Sequence, residues 1–408
     1  MSDREIFLML LKKSIRPAAV LPDMKLNTLT VENWEELMRL ATEHSVLPMI
    51  YEVVRKEDPW QMLPDEMKNY YKSYAKRMVV MQSMTASFMM EIYRDFLRAD
   101  IRVLIIKGMI LRNIYPYPEY RTSSDEDLLI RKEDLKNVDE LLLSKGFKRA
   151  EMDIFKETHE ISYHHMASSL HIEVHLTLFP EESGAYGSLN REFPDIFTRC
   201  KAQTIKGQEI WTLDETQHML YLLCHGLKHF LHSGFGIRQL LDMIMFAETY
   251  GSSIDWEEVI TRMKEENMYV FAMNLFDIGE RYFGFSWEKA ALQKPDGKIL
   301  DSKNLLDDLL DSGVYGKASE ERTHSSNITL KAAENKEGKA KNARTLFPDI
   351  EYMKRQYKYL EKLPFLLPAA WLQRIAGYLL KNDAKQMKET VEIGNKRVEL
   401  LKKYDIIP

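Results

Sequence analysis

Two short runs constrain the fold of this chain most, because each sets carboxylates at the two-residue period of a strand. In Ser123-Ser-Asp-Glu-Asp-Leu-Leu-Ile130, Asp125 and Asp127 are two apart, so on an extended backbone they share one face. In His171-Ile-Glu-Val-His-Leu176, Ile172 and Val174 take one face while His171, Glu173 and His175 take the other. If the two strands are neighbours, three carboxylates converge. Such a patch repels itself unless cations lie on it, and hard oxygen donors favour Mg²⁺ or Mn²⁺. Paired divalent ions held this way serve displacement at a phosphoryl centre.

The residues upstream point the same way. Ile101-Arg-Val-Leu-Ile-Ile106 is rich in β-branched residues and reads as a buried strand. It ends at Lys107-Gly108, where the missing side chain lets a phosphate approach the backbone. Met109 to Tyr115 reads as a short helix whose free N–H groups favour an anion. Pro116 and Pro118 stop it, and a loop through Arg121 returns the chain to the acidic strand. The order is strand, glycine turn, helix, acidic strand, long excursion, second acidic strand.

That order resembles the nucleotidyltransferase superfamily of DNA polymerase β, and its wording is most similar to the uncharacterised bacterial nucleotidyltransferase family. The residues that carry the resemblance are Ile106-Lys107-Gly108, Tyr115-Pro116, Arg121, Ser124-Asp125-Glu126-Asp127-Leu128-Leu129 and Ile172-Glu173-Val174-His175. The resemblance implies an α+β fold: a mixed β-sheet core of nucleotidyltransferase type with helices, flanked by N- and C-terminal helical regions. By the same resemblance Asp125, Asp127 and Glu173 bind metal and carry catalysis, and Gly108 faces the nucleotide phosphates. Lys107, Arg121 and Arg238 are the candidate phosphate cations, and His175 either orients Glu173 or touches phosphate oxygens. Three departures stand out. Met109 follows the turn glycine where the superfamily has Ser or Gly, and the gap from Gly108 to Asp125 is longer than in compact members. Glu126 replaces an apolar residue; it points away from the carboxylate face, so that side is solvated or holds a basic partner.

A chain of 408 residues with 45% hydrophobic residues buries a substantial core, in more than one domain. Its blocks read as an N-terminal helical region at 1–99, an α/β core at 100–213, a helical domain at 214–293, a polar flexible segment at 294–345 and a C-terminal helical region at 346–408. Asp214 is the expected cap of a helix running through Phe230. The basic stretch Lys331 to Arg344 reads as a solvated charge run, and Leu366–Leu380 as an amphipathic face for the core or a membrane surface. A net charge of −5 gives no global attraction to nucleic acid. Cys200 and Cys224 form neither a metal spacing nor a disulfide framework, the N-terminus is not a secretory signal, and no apolar run reaches the ~20 residues of a membrane span. A cytoplasmic protein is expected.

The remaining motifs carry blander readings. The methionines Met78, Met81, Met84, Met89 and Met90 read as core packing. Arg238 and Asp242 read as a helical i, i+4 ion pair, or Arg238 closes a nucleotide cleft together with Lys228. His225 and His229 share a helix face, yet Gly226 stands where a zinc protease needs Glu. The expected activity is Mg²⁺- or Mn²⁺-dependent transfer of a nucleoside monophosphate from an NTP, ATP first, to an acceptor hydroxyl. A small molecule or a protein is favoured over nucleic acid as acceptor. The alternatives are a catalytically inactive nucleotide-binding protein of the same fold and, further off, a histidine-based zinc hydrolase.

Overall fold

The computed structural model describes residues 2–20, 26–150, 159–232, 234–313, 320–334, 350, 353–354, 357–361, 363–380 and 384–408. Side-chain caps set the first helix starts. Ser2 and Glu5 form a reciprocal capping box on α1 (Asp3–Ile15), and Thr30 with Asn33 does the same for α2 (Val31–Glu43). After α3 (Leu47–Val54) comes α4 (Asp65–Arg98), a 34-residue helix that runs alongside the core and then delivers the chain to the sheet.

The sheet has five strands in the order β1-β2-β5-β4-β3. These are β1 (Leu104–Ile105), β2 (Glu126–Leu129), β3 (Lys148–Arg149), β4 (Glu160–His165) and β5 (Leu170–His175). Between β1 and β2 lies α5 (Gly108–Arg112), and between β2 and β3 lies α6 (Leu135–Ser144). The pair β2–β5 is parallel and every other pair in the sheet is antiparallel. The sheet is therefore mixed, with its parallel pair flanked by antiparallel neighbours. A separate hairpin, β6 (Cys200–Ile205) and β7 (Gln208–Leu213), leads into the helical layer.

That layer comprises α7 (Glu215–Leu231), α8 (Ile237–Tyr250), α9 (Trp256–Glu265) and α10 (Tyr269–Phe283). Asp214 caps α7 as expected, accepting from the Gln217 N–H at 2.8 Å. Alternation in the strands sorts the two sheet faces. Leu128, Ile172 and Val174 pack against Met89, Ile92, Tyr93 and Phe96 of α4 and against Val138 and Leu142 of α6. Leu104, Ile106 and Leu129 join the larger core that α7, α8 and α10 complete. Asp127 and Glu173 thus lie on the face toward α7 and α8, beneath a helical cover.

Glu126, on the opposite face, is buried and has the basic partner that its position demands. It pairs with Arg112 and accepts from the Met109 N–H at 2.9 Å. The anion at the start of α5 is therefore supplied by the chain itself. Gly108 follows from this contact, since a Cβ there would come within 1.9 Å of Glu126 Oε2, at a φ of +25°. The helix ends at Arg112 rather than running to Tyr115, whose hydroxyl instead donates to Asp242 Oδ1 at 2.8 Å.

Two other expectations are corrected. Within the polar stretch from 294, α11 (Lys303–Ser312) buries Leu305, Leu306, Leu309 and Leu310, and α12 (Glu320–Glu334) packs on α14 (Ala384–Lys403). Local helical spacing of four leucines outweighs the polar average there. From 335 on, the basic stretch Lys331 to Arg344 lies outside the described residues. So do the side chains of α13 (Leu367–Leu380) from 374 on, and with them much of the Leu366–Leu380 face. The methionines of α4 divide: Met89 is fully buried, whereas Met81 and Met84 are 40% and 55% exposed.

The C-terminal elements reach back to α7. Arg397 donates to the carbonyls of Phe230 and, at 2.5 Å, His232, and Thr329 Oγ1 donates to Leu231 O at 2.5 Å, satisfying the open end of that helix. Among the described residues no helix is long and apolar enough to cross a membrane.

Breaking the buried Arg112–Glu126 pair from one side leaves an uncompensated carboxylate. Arg112→Met is expected to lower stability by about 3–5 kcal/mol, read from the urea midpoint, and Arg112→Met/Glu126→Leu to recover most of it. Equal midpoints for wild type and Arg112→Met would remove the pair from the stability of the core.

Candidate active site

The parallel register of β2 and β5 sets Asp127 directly beside Glu173, and Leu129 beside His175. Asp127 is buried, 2% exposed, in a setting that disfavours its charge. Two neighbours compensate it: Lys107 Nζ is 2.9 Å from Oδ1, and His175 Nε2 is 3.3 Å from the same oxygen. Burial alone raises the Asp127 carboxyl, but the Lys107 ammonium and His175 outweigh it and hold the group below the usual carboxylate range. Its other oxygen, Oδ2, is buried and has no hydrogen-bond partner among the described residues.

Glu173 behaves oppositely. Burial, then the charges of Asp127, Asp125 and Glu160, push its carboxyl up to about 8. His175 Nε2 lies 3.8 Å from Glu173 Oε2, and its Nδ1 lies 3.7 Å from Glu160 Oε2. Glu160 itself is held down to about 2, first by the hydrogen bond from His159, against the opposing effect of burial. The sequence reading did not single it out. Its period-two placement before Ser162 on β4 was the available signal, and the pairing Glu160↔His175 completes the network.

One ligand atom each from Asp127, Glu173 and His175 lie within 4.8 Å of one another, close to the ~4 Å span of ligands on one Mg²⁺-sized ion. A donor set of two carboxylates and an imidazole with one unpartnered buried oxygen fits a divalent cation. Asp125 precedes β2 on the same face; it is half-buried and close enough to act on Glu173, but it stands outside that group of three.

The candidate phosphate cations are distributed unevenly. Lys107 sits on Asp127 and, at 3.2 Å, on His225 Nε2. Gly108 backs onto Glu126. Arg121 is committed to a buried two-point pair with Asp242, Nε to Oδ1 at 3.0 Å and Nη2 to Oδ2 at 2.6 Å. Asp242 therefore belongs to Arg121 rather than to Arg238. Arg238 is 4% exposed, donates to Thr122 O, leaves Nε without a partner, and makes no ion pair among the described residues. His225 and His229 lie with Nε2 atoms 3.2 Å apart. Burial, then the nearby Lys107 or Lys228 charge, lowers both, so they are neutral. They stand outside the group that meets a metal-holding geometry.

Two cavities reach Asp125. One of about 20 Å³, room for a water or an ion, lies among Lys107, Gly108, Asp127, His225 and Arg238. The other is a cleft of about 600 Å³ between α4 and the mouth of the sheet, and Arg238 lines it too.

A mixed sheet whose parallel pair carries a carboxylate on each strand, covered by helices on both faces, is an α+β core of the nucleotidyltransferase type. Sequence comparison agrees: the family described as uncharacterised nucleotidyltransferase matches residues 30–284, and the chain belongs to that family. The match runs from the cap of α2 to the end of α10, so α2 to α4 and the helical cover are part of it, and α1 precedes it. Neither the curated proteins nor the solved structures yield a match.

The raised Glu173 carboxyl has a consequence for folding. The native state holds a proton that the unfolded chain loses near the ordinary 4.5, so this group's contribution to stability falls from about that pH up to about 8 and is level beyond. Urea midpoints taken across that window are expected to decline less in Glu173→Gln than in wild type. Parallel declines would place the titration elsewhere.

Proposed function

We propose that this protein is a Mg²⁺- or Mn²⁺-dependent nucleotidyltransferase that moves a nucleoside monophosphate from an NTP, ATP first, to an acceptor hydroxyl and releases pyrophosphate. The observation that carries the reading is the pairing of Asp127 with Glu173 across parallel strands, with Asp127 Oδ2 buried and unpartnered and Asp125 on the same face. Asp127, Glu173 and His175 would hold one ion, with Asp125 toward a second. Bound there, the cation would offset phosphate charge and lower the pKa of the acceptor hydroxyl.

The chain's own groups supply the rest. Glu173, ionised once the cation offsets its neighbouring carboxylates, takes the acceptor proton. As the acceptor oxygen bonds to the α-phosphorus, the bond to pyrophosphate breaks and charge moves onto the leaving group. Arg238, without a carboxylate partner among the described residues, and Lys107, displaced from Asp127, face that charge. Arg121 acts at one remove, fixing α8 through Asp242. The acidic balance of the chain favours a small-molecule or protein acceptor in the cytoplasm over a nucleic acid.

A second reading, nucleotide binding without turnover, is favoured by one observation: the Lys107 ammonium already lies on Asp127, where a divalent cation would compete with it. Labelled ATP, CTP, GTP and UTP, incubated with Mg²⁺ and cell extract, separate the two. The expected result is one labelled acceptor with wild type and none with Asp125→Asn or Asp127→Asn, both still folded by circular dichroism. At a hundredfold excess over Kd, the matching Mg²⁺-NTP stabilises wild type by about 2.7 kcal/mol. Stabilisation without any labelled acceptor selects the second reading, and no stabilisation by any of the four nucleotides removes the nucleotide site.

A further inference from the structure

The 600 Å³ cleft at Asp125 has a graded wall that the proposed reaction has not yet used. Its inner end holds Ser123, Asp125 and Arg238, and Ser123 N donates to Gln82 Oε1 of α4 at 2.7 Å. From that anchor, α4 runs outward along the cleft through Met81 and Met78 to Arg77 and Tyr74. At about 1.5 Å rise per residue, Tyr74 lies about 12 Å along the helix from Gln82. Met78 lies about 6 Å along it, so the wall spans the length of a nucleoside. The Arg77 guanidinium sits over the Tyr74 ring, 5.4 Å from its centroid, and Met81, 40% exposed, lines the same cleft. Polarisable sulfur, an aromatic ring and a guanidinium plane hold flat π-systems, and a thioether has no donor to offer a phosphate. The hydroxyl residues Ser45 and Thr85 also line the cleft.

The order along the cleft is thus π-binding wall at the outer end, then the buried guanidinium and the carboxylate at the inner end. That is the order of base, then phosphates and cation, in a metal-bound nucleotide. The other cavity at Asp125 is about 20 Å³ and admits no nucleoside. Resting on the nucleotidyl-transfer reading, we propose that α4 of the N-terminal helical region forms the nucleobase wall, with the base held against Tyr74, Met78 and Met81 and the phosphates directed to Arg238 and Asp125. The exposed Met81 of α4 is then part of the substrate site, while Met84 lies outside the cleft.

Tyr74→Ala and Met81→Ala test this with two probes, Mg²⁺-ATP and Mg²⁺-tripolyphosphate, the second lacking base and sugar. Binding is measured by calorimetry and by thermal midpoint, and the midpoint without ligand confirms that each variant folds. Met81, being exposed, gives the variant least able to disturb the fold. In each variant the Kd for Mg²⁺-ATP is expected to rise roughly tenfold, with tripolyphosphate unchanged within about twofold. An unchanged ATP Kd, or equal losses for both probes, overturns the proposal while leaving the transfer reading standing. If wild type binds tripolyphosphate and ATP with the same Kd, the base contributes nothing and the wall is excluded. If wild type binds neither, the transfer reading fails first and the wall with it.

Discussion

A carboxylate placed between a sheet and a helical cover is the constraint on which the rest of this structure turns. Asp127 has almost no exposure, so its charge must be matched within the protein, and the groups around it come from three segments. Lys107 leaves the end of β1, His175 the end of β5, Glu173 is the cross-strand neighbour, and Glu160 stands on β4 behind His175. None of these segments can shift register by one residue without turning its polar side chain into the apolar layer against α4 and α6. The charge network and the register of the sheet are therefore one specification.

The helices divide the labour around that centre. On the far face, α4 and α6 supply an apolar bed, and the Arg112–Glu126 pair ties α5 to β2. On the near face, α7 and α8 close over the carboxylates and bring His225, Arg238 and the Arg121–Asp242 pair. Glu126 also explains why the turn glycine is followed by Met109 rather than a hydroxyl residue. The backbone N–H of residue 109 is already taken by a carboxylate of the same chain.

Much of this was legible in the residues, and the illegible parts have physical reasons. Period-two spacing assigned Asp125, Asp127 and Glu173 to strand faces, because alternation on an extended chain is geometric. The same geometry sent Glu126 to the other face and required a partner, though Arg112 could not be named from it. The Arg121–Asp242 pair joins residues 121 apart in the chain, and local helix spacing pointed instead to Arg238. The methionines of α4 read as core packing, but what covers each one depends on packing from elsewhere, and Met81 and Met84 are left exposed. In the stretch after 294 the polar average argued for loop, although four leucines there stand at helical spacing.

The open carbonyls at the end of α7 are met by Thr329 and Arg397, about a hundred and more residues further along the chain. During synthesis, the segment up to Gly284 leaves the ribosome well before either side chain exists. The helix that presents His225 and His229 to the carboxylates must wait, its last turn hydrated, until α14 has emerged and docked. Completion of the site is thereby timed to the emergence of α14, and a nascent chain that has already made the five-stranded sheet still lacks the buttress of its own centre.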